Sequence, residues 1–137
     1  MKSNHLAQIR IILEEAKKTI PETRTIFCLD NDGLIIDEIG LGGLGRDAAR
    51  ELVSLLVSVL GRARKLSIEI LGDPWVLLGF IGSRSFLLLG SVGEQAILGL
   101  LVEASEGSTI KLPTHIYSIF SDYCERLATE LQTLSAP

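Results

Sequence analysis

At residues 25–39 the sequence reads Thr25-Ile26-Phe27-Cys28-Leu29-Asp30-Asn31-Asp32-Gly33-Leu34-Ile35-Ile36-Asp37-Glu38-Ile39. Two apolar runs in this segment are joined by Asp32-Gly33, and an Asp-Gly pair between apolar runs is the strongest short signal for a hairpin. A tight primed turn needs positive φ at both central residues, which aspartate and glycine tolerate. The segment therefore predicts a β-hairpin near the start of the chain.

A long apolar helix is predicted after the hairpin. Six residues with four glycines, Gly40 to Gly45, lead into a helical segment from Arg46 to Lys65. Its polar residues form one narrow strip, although a helix lying on one sheet face needs an apolar stripe of only about 100°. The surplus predicts a homodimer built on this helix and on a following strand at residues 66–70. The predicted dimer interface consists of Leu52, Val53, Leu56, Val59, Leu60, Ala63, Ile68 and Ile70.

The other strands and the first helix are predicted from their hydrophobic periodicity. Before the hairpin, apolar residues at three- and four-residue steps from Leu6 to Ile20 predict an amphipathic helix. After the long helix, alternation at residues 66–70 and apolar runs at residues 75–81 and 86–89 predict a three-strand meander. The chain therefore has the mixed pattern of an α+β fold.

Two more helices are predicted after the meander. Residues 95–106 are interpreted as a short helix, although a buried strand is possible for their apolar middle. Pro113-Thr114 introduces a last amphipathic helix that reaches Leu134. Because the earlier elements can already close a core, we expect a domain at residues 1–106 and a linker with an appended helix at residues 107–137. That helix is too apolar to remain in water, so it should dock on its own sheet or in a partner's groove.

Composition and charge limit the possible functions. The chain has 137 residues, of which 47% are hydrophobic and 22% charged, and this suits one globular domain. Its net charge is −4, and its longest basic run is the interrupted Arg62-Ala63-Arg64-Lys65, interpreted as the last turn of the long helix. Nucleic acid is therefore not expected as a partner.

Location is predicted from the apolar segments and the cysteines. The longest apolar region, Trp75 to Val102, is interrupted by Arg84 and Glu94, so no membrane span is expected. The two cysteines have no C-x-x-C spacing, and no secretory leader is recognised at the start. We expect a cytoplasmic protein with both thiols in the core.

The glycine-rich segment has two interpretations, a flexible connection and a ligand-binding loop. Gly40-Leu41-Gly42-Gly43-Leu44-Gly45 has the form G-x-G-x-x-G, the dinucleotide fingerprint that follows a parallel strand. The strand before it is a hairpin arm with Asp37 and Glu38, whereas the first strand of a nucleotide fold is buried and nearly all apolar. A flexible connection is favoured, and a small nucleotide- or ligand-binding protein is the alternative.

Catalytic and metal-binding patterns are missing from the sequence. Asp30-Asn31-Asp32-Gly33 is similar to part of a calcium loop, but the first and twelfth positions of that loop would be Cys28 and Ile39, which carry no side-chain oxygen. The two histidines have no ligand partners at suitable spacing. Neither a Gly-x-Ser-x-Gly elbow nor a Gly-Lys-Ser phosphate loop occurs. We therefore expect no enzyme, no cofactor and no metal.

The order of elements resembles the Roadblock family, the dynein light-chain relatives that include regulators and scaffolds of Ras-like small GTPases. Three segments carry the resemblance: residues 29–36 as the aspartate-glycine hairpin, Asp47-Ala48-Ala49 as the alanine-bearing helix start, and Ile97-Leu98-Gly99-Leu100-Leu101 as the segment of asparagine-leucine-glycine-leucine form. The pattern covers about residues 6–106. Ile97 stands where the family pattern has asparagine, and the last helix lies outside the pattern.

This resemblance implies a fold and a partner. The fold is an α-β-β-α-β-β-β-α sandwich in which helices pack on a five-stranded antiparallel sheet, here with an extra C-terminal helix. The partner is a Ras-like small GTPase, which a non-enzymatic homodimer would regulate or scaffold. A structural adaptor of a motor or scaffold complex would have the same sequence features. Arg46, Arg50 and Arg84 could supply an arginine finger in trans, but we expect ordinary exposed side chains.

Overall fold

The computed structural model describes residues 2–20, 22–73, 77–104, 107 and 115–135. In chain order the elements are helix α1 (Lys2–Thr19), strands β1 (Thr23–Asp30) and β2 (Ile35–Ile39), a 3₁₀ turn (Leu41–Leu44), helix α2 (Arg46–Leu71), strands β3 (Leu77–Ile81), β4 (Ser85–Val92) and β5 (Ala96–Glu103), and helix α3 (Ile116–Ser135). This is the predicted α-β-β-α-β-β-β-α order. Among the described residues, no helix is both long enough and apolar enough to cross a membrane.

The strands form one five-stranded antiparallel sheet in the order β2-β1-β5-β4-β3. Helices α1 and α3 cover one face of the sheet, and α2 lies on the other face. The connection from β2 to β3 through α2 therefore joins the two opposite edges of the sheet. The predicted fold class, helices packed on a five-stranded antiparallel sheet, is confirmed.

The hydrophobic core has one part on each face of the sheet. Because side chains alternate along a strand, β1 sends Ile26 and Cys28 toward α1 and α3 and sends Phe27 and Leu29 toward α2. The buried residues on the α2 side are Phe27, Leu29, Leu41, Val53, Leu56, Leu60, Leu89 and Ile97. The part shared by α1 and α3 is the larger one.

The predicted hairpin is confirmed, but its turn is not of the primed type. Only Gly33 has positive φ, at +88°, and Asp32 does not. The Asp30 carboxylate accepts hydrogen bonds from the backbone N–H groups of Asp32 and Leu34, both at 2.9 Å. This carboxylate stabilises a three-residue loop with one left-handed glycine, so a second positive φ is not needed.

Two predicted elements are wrong. Residues 66–70, predicted as a strand, continue α2 to Leu71, and Gly72 with φ of +69° ends the helix. Residues 95–106, predicted first as a helix, contain strand β5 (Ala96–Glu103). A central strand buried on both faces has no alternation of polar and apolar residues, so its sequence resembles a buried helix. The meander is therefore β3, β4 and β5, and the helix predicted as an extra C-terminal one is α3, the last helix of the order itself.

Helix α3 docks on its own sheet, which was one of its two predicted locations. A Cβ added at Gly90 of β4 would lie 2.8 Å from the ring of Phe120, so this ring rests directly on the strand backbone. Three polar pairs fasten α3 to α1: His5 with Glu130 (2.8 Å), Thr19 with Tyr123 (2.8 Å), and Glu15 with Arg126. The predicted helix start at Pro113-Thr114 and the strand start at Trp75 lie outside the described residues. The domain boundary at residue 106 stays a prediction.

Candidate interaction surface

Helix α2 uses only a narrow row of side chains to contact its own sheet. Val53, Leu56 and Leu60 are buried in this row. On the adjacent flank of the helix, apolar side chains are exposed, and Leu66 and Ile70 have 57% and 69% of their surface accessible. The seven-residue spacing of Leu52, Val59 and Leu66 places these side chains on one flank. The helix therefore has a second apolar stripe that its own fold leaves uncovered.

Strand β3 continues this stripe at the edge of the sheet. A groove of about 420 Å³ between α2 and β3 is lined by Ala63, Leu66, Ile70, Leu71, Leu77 and Leu78. On the strand itself, Phe80 and Ile81 are exposed, Ile81 at 75%. Phe80 lies on the α2 side of the sheet, whereas Ile81, which pairs with Phe86, lies on the opposite side at the same edge. We refer to the exposed apolar side chains of this flank of α2, of the groove and of the β3 edge together as the α2–β3 surface; they are Leu55, Val59, Leu66, Ile70, Leu71, Leu77, Phe80 and Ile81.

The two edges of the sheet differ in how well they are protected from another strand. Strand β2 carries Asp37 and Glu38, and its pairing with β1 is interrupted by a register shift next to Cys28. Charged residues and bulges discourage strand pairing at an edge. Strand β3 has the sequence Leu-Leu-Gly-Phe-Ile, with neither a charge nor a proline. The β3 edge is therefore the one open to pairing.

All eight predicted interface residues lie on α2, including the two that were assigned to a strand. Val53, Leu56 and Leu60 are buried against the sheet, Leu52 and Ala63 are half-buried, and Val59, Ile68 and Ile70 are exposed. Ile68 lies on the opposite side of the helix from Val59 and Ile70, because successive residues turn by about 100°. The interface itself stays a prediction.

Several residues of the α2–β3 surface are not among those predicted from the sequence. Leu55 and Leu66 belong to the exposed stripe, and the seven-residue spacing from Leu52 to Leu66 is a signal that could have identified Leu66. The exposed β3 side chains have no comparable signal, since nothing in chain order shows that β3 is an edge strand.

The glycine-rich segment folds into the 3₁₀ turn. Gly40 has φ of +86°, and a Cβ there would lie 2.4 Å from the carbonyl oxygen of Arg24, so only glycine fits. The strand before the turn is β2, whose described neighbour in the sheet is the antiparallel β1. A G-x-G-x-x-G segment binds a dinucleotide only within a parallel βαβ unit, and here the preceding strand belongs to an antiparallel hairpin.

Arginines take two kinds of position. Arg46, Arg50 and Arg84 are exposed, as expected. Arg64 is half-buried; its Nη1 donates to Asn31 Oδ1 at 3.1 Å and its Nη2 to the Ala96 carbonyl oxygen at 3.5 Å. Arg64 thus joins α2 to the turns at one end of the sheet. The interpretation of residues 62–65 as the last turn of the helix is wrong, because α2 continues to Leu71.

Both cysteines are buried free thiols that face the core between the sheet, α1 and α3. Burial raises the pKa of Cys28 to about 12, and the Asp37 carboxylate contributes to the rise. Burial likewise raises the pKa of Cys124 to about 12. A thiol is a nucleophile or metal ligand only as the thiolate, so at neutral pH both act as apolar core groups. Within the described residues, no group of three or more His, Cys, Asp or Glu side chains could hold a metal ion.

Solved structures match the fold, although no protein-family model and no curated protein matches the sequence significantly. MglB of Myxococcus xanthus superposes with a TM-score of 0.76 at 16% identity, covering 96% of this chain and 93% of that chain. The gliding protein MglB of Thermus thermophilus gives 0.71 at 20% identity, covering 94% and 92%. A Roadblock/LC7 domain of Streptomyces avermitilis gives 0.62 at 15% identity, covering 90% and 92%.

These superpositions agree with the Roadblock resemblance found in the sequence. The chain has the Roadblock/LC7 fold. Coverage of 96% leaves few residues outside the match, so α3, which the sequence pattern did not include, is part of the shared fold.

Proposed function

Starting from this Roadblock/LC7 fold, we propose that the chain is a non-enzymatic cytoplasmic module that forms a homodimer and binds a Ras-like small GTPase. The observation that carries the proposal is the uncovered α2–β3 surface. Contiguous exposed apolar surface marks sites of protein association. A two-fold axis allows such a surface to cover itself, because the same patch on both subunits then forms the contact.

The geometry of the surface favours a second copy as its occupant. Two β3 edges that pair antiparallel would satisfy their free backbone groups and join two five-stranded sheets into one. The α2 flanks lie next to these edges, so the stripes containing Val59 and Leu66 would meet across the axis. Their seven-residue spacing suits side-by-side helix packing.

The GTPase partner is supported by the family resemblance and by the fold. The Roadblock family includes regulators and scaffolds of Ras-like GTPases, and the structures that superpose on this chain carry the names MglB and Roadblock/LC7 domain. Protonated buried thiols favour binding over chemistry by this chain.

Light scattering tests the dimer. Leu66→Glu and Ile70→Glu place a charge on the exposed stripe, where the fold of one subunit has room for it, so each variant should be a folded monomer. Ser54→Glu is the matched control, because Ser54 is exposed on the other flank of the same helix and should leave the dimer intact. A wild-type chain that is monomeric at micromolar concentration would contradict the proposal.

Pull-down of Ras-like GTPases loaded with GTP or with GDP tests the partner. Binding that depends on the bound nucleotide supports a regulator, and binding to both forms supports a scaffold. A dimer that binds neither form would instead favour the structural adaptor.

Titration with ATP, GTP and NAD tests the remaining alternative; saturable micromolar binding that Gly42→Val abolishes would favour a nucleotide-binding protein. A side chain at Gly42 meets no atom within 4 Å, so this variant should fold.

A further inference from the structure

A second concave site lies at the other end of α2, away from the groove beside β3. It is a pocket of about 350 Å³ between β2, the 3₁₀ turn and the first turns of α2. We call it the arginine pocket. Its apolar lining is Ile35, Leu41, Ala49 and Val53, and its polar side chains are Glu38, Arg46 and Arg50. Its volume is at the lower end of the range for small-molecule sites.

The arginine pocket contains two positive charges that have no partner within the described part of the chain. Arg46 and Arg50 are four residues apart, so both guanidinium groups extend from the same side of α2. Among the described residues, neither forms an ion pair or a hydrogen bond. Glu38 also lines the pocket, but its Oε2 accepts a hydrogen bond from the Leu41 N–H at 2.8 Å. The pocket therefore combines two guanidinium groups that are unpaired within the described residues with one carboxylate that accepts a backbone hydrogen bond, so its side chains carry an excess of one positive charge.

The apolar part of the arginine pocket combines a buried floor with an exposed wall. Leu41 and Val53 are buried and belong to the core on the α2 side of the sheet. Ile35, on the edge strand, has 51% of its surface exposed. An apolar ligand on this floor would cover the Ile35 side chain, which the fold leaves in water.

We propose that the arginine pocket binds a soluble carboxylic acid with an apolar body. The carboxylate would accept hydrogen bonds from Arg46 and Arg50, since a guanidinium pair matches that group, and the apolar body would lie on Leu41, Val53 and Ile35. The unpaired positive charge at the mouth of an apolar pocket selects an acid over a neutral or cationic amphiphile. This site is separate from the α2–β3 surface and does not require the dimer.

Titration of the ¹⁵N-labelled chain with dodecanoate tests the proposal. The largest amide shifts should occur at Leu41, Gly42 and Ala49. Replacing both arginines, Arg46→Met with Arg50→Met, should weaken binding about tenfold or more, because charge-assisted hydrogen bonds are lost. Arg62→Met is the matched control, as Arg62 is exposed on the same helix outside the pocket, and should bind as wild type. Shifts centred on Ile70 and Leu77, or equal weakening by the control, would overturn the proposal.

Three further experiments test the charge of the head group, the location of the binding site and whether the ligand is soluble or part of a membrane. Dodecyltrimethylammonium has the same chain with a positive head group and should not bind; binding as tight as that of dodecanoate would overturn the role of the arginines. Ala49→Phe should fill the pocket and abolish binding while circular dichroism stays unchanged; retained binding in this folded variant would contradict the site. The chain should not sediment with phosphatidylglycerol vesicles. If it does sediment, and the variant without both arginines does not, the ligand is a membrane lipid and not a soluble acid.

Discussion

Gly99 is a residue whose role depends on the strand opposite. Phe27 on β1 is paired with Gly99 on β5, and a Cβ at Gly99 would lie 2.2 Å from the Phe27 ring. The glycine leaves the space in which this aromatic ring lies flat on the neighbouring strand. The glycine of the family-like segment Ile97-Leu98-Gly99-Leu100-Leu101 is thus a packing position in the α2 side of the core.

Gly99→Ala should therefore lower the free energy of unfolding by about 1–3 kcal/mol, as expected for overpacking of a filled core. Urea denaturation of the purified variant measures the change. Gly61→Ala is the control, because Gly61 lies within α2 and its added Cβ meets no atom within 4 Å. That variant should gain up to about 1 kcal/mol from helix propensity. An unchanged denaturation midpoint for Gly99→Ala would show that the Phe27 ring moves aside without cost.

The two thiols should make stability fall at alkaline pH. Burial raises the pKa of Cys28 and Cys124 from 9.0 to about 12 in the folded chain. Between pH 9 and 12 the unfolded chain therefore binds fewer protons than the folded chain, and stability decreases as pH rises through that window. Urea denaturation at pH 8 and pH 10 should show the decrease. The variant with Cys28→Ala and Cys124→Ala should show less of it; an identical pH dependence would contradict this assignment.

Among the elements, α3 is fixed by close contacts to glycines of strands β4 and β3. Gly90 on β4 lies beneath Phe120 and Cys124, and Gly79 on β3 lies beneath the hydroxyl of Tyr117, which is 2.9 Å from a Cβ added there. These contacts put α3 closer to the sheet than larger side chains would allow. Helix α3 is therefore integral to the core on the side of α1, opposite to α2.

Leu127→Ala should lower the free energy of unfolding by about 2–5 kcal/mol, because Leu127 is fully buried between α3 and the sheet. Ser118→Ala, at an exposed position of the same helix, should have little effect. Thermal or urea denaturation checks both. Deletion of residues 113–137 should give an aggregating protein rather than one that binds a GTPase more tightly. A truncated chain that stays folded and dimeric would contradict this role of α3.

Arg64 should couple α2 to the turns at one end of the sheet. Arg64→Met removes the hydrogen bonds to Asn31 and Ala96, and Asn31 in turn donates to the Glu94 carbonyl oxygen at 2.6 Å. We expect a loss of about 1–2 kcal/mol and faster amide hydrogen exchange in both turns. Arg62→Met, at an exposed position two residues earlier, should change neither. Unaltered exchange in Arg64→Met would show that the turns are held by their own backbone hydrogen bonds.

The accuracy of prediction from sequence differed between elements for a physical reason. α1 and α3 each have one polar and one apolar side, and this periodicity identified them, whereas Asp32-Gly33 between two apolar runs identified the hairpin. Strand β5 is buried on both faces and has no such period. Leu66, Ile68 and Ile70 alternate as in a strand, yet Leu66 and Ile70 are also one helical turn apart, so five residues could not decide between helix and strand. The candidate interface depends on strand order, which the chain order does not reveal.

In the whole molecule, eight of the fourteen large apolar side chains that are exposed among the described residues belong to the α2–β3 surface. The polar pairs between α1 and α3 lie on the opposite face. An association driven by the α2–β3 surface should therefore be hydrophobic in character. Its dissociation constant should change little when NaCl rises, because screening acts on charges. Calorimetric dilution should give a negative heat-capacity change on association. Affinity that falls steeply with salt would indicate a charged interface elsewhere.

The strand order also determines when this protein can fold during its synthesis. Strand β1 leaves the ribosome early, but its inner neighbour β5 is made only after α2, β3 and β4. Pairing strands so far apart in the chain closes a long loop, and the entropy of that loop opposes the pairing. A nascent chain that ends before Ala96 can form only the β1–β2 hairpin and the separate β3–β4 pair. The exit of β5 from the ribosome is the step that allows these two strand pairs to join into a single sheet.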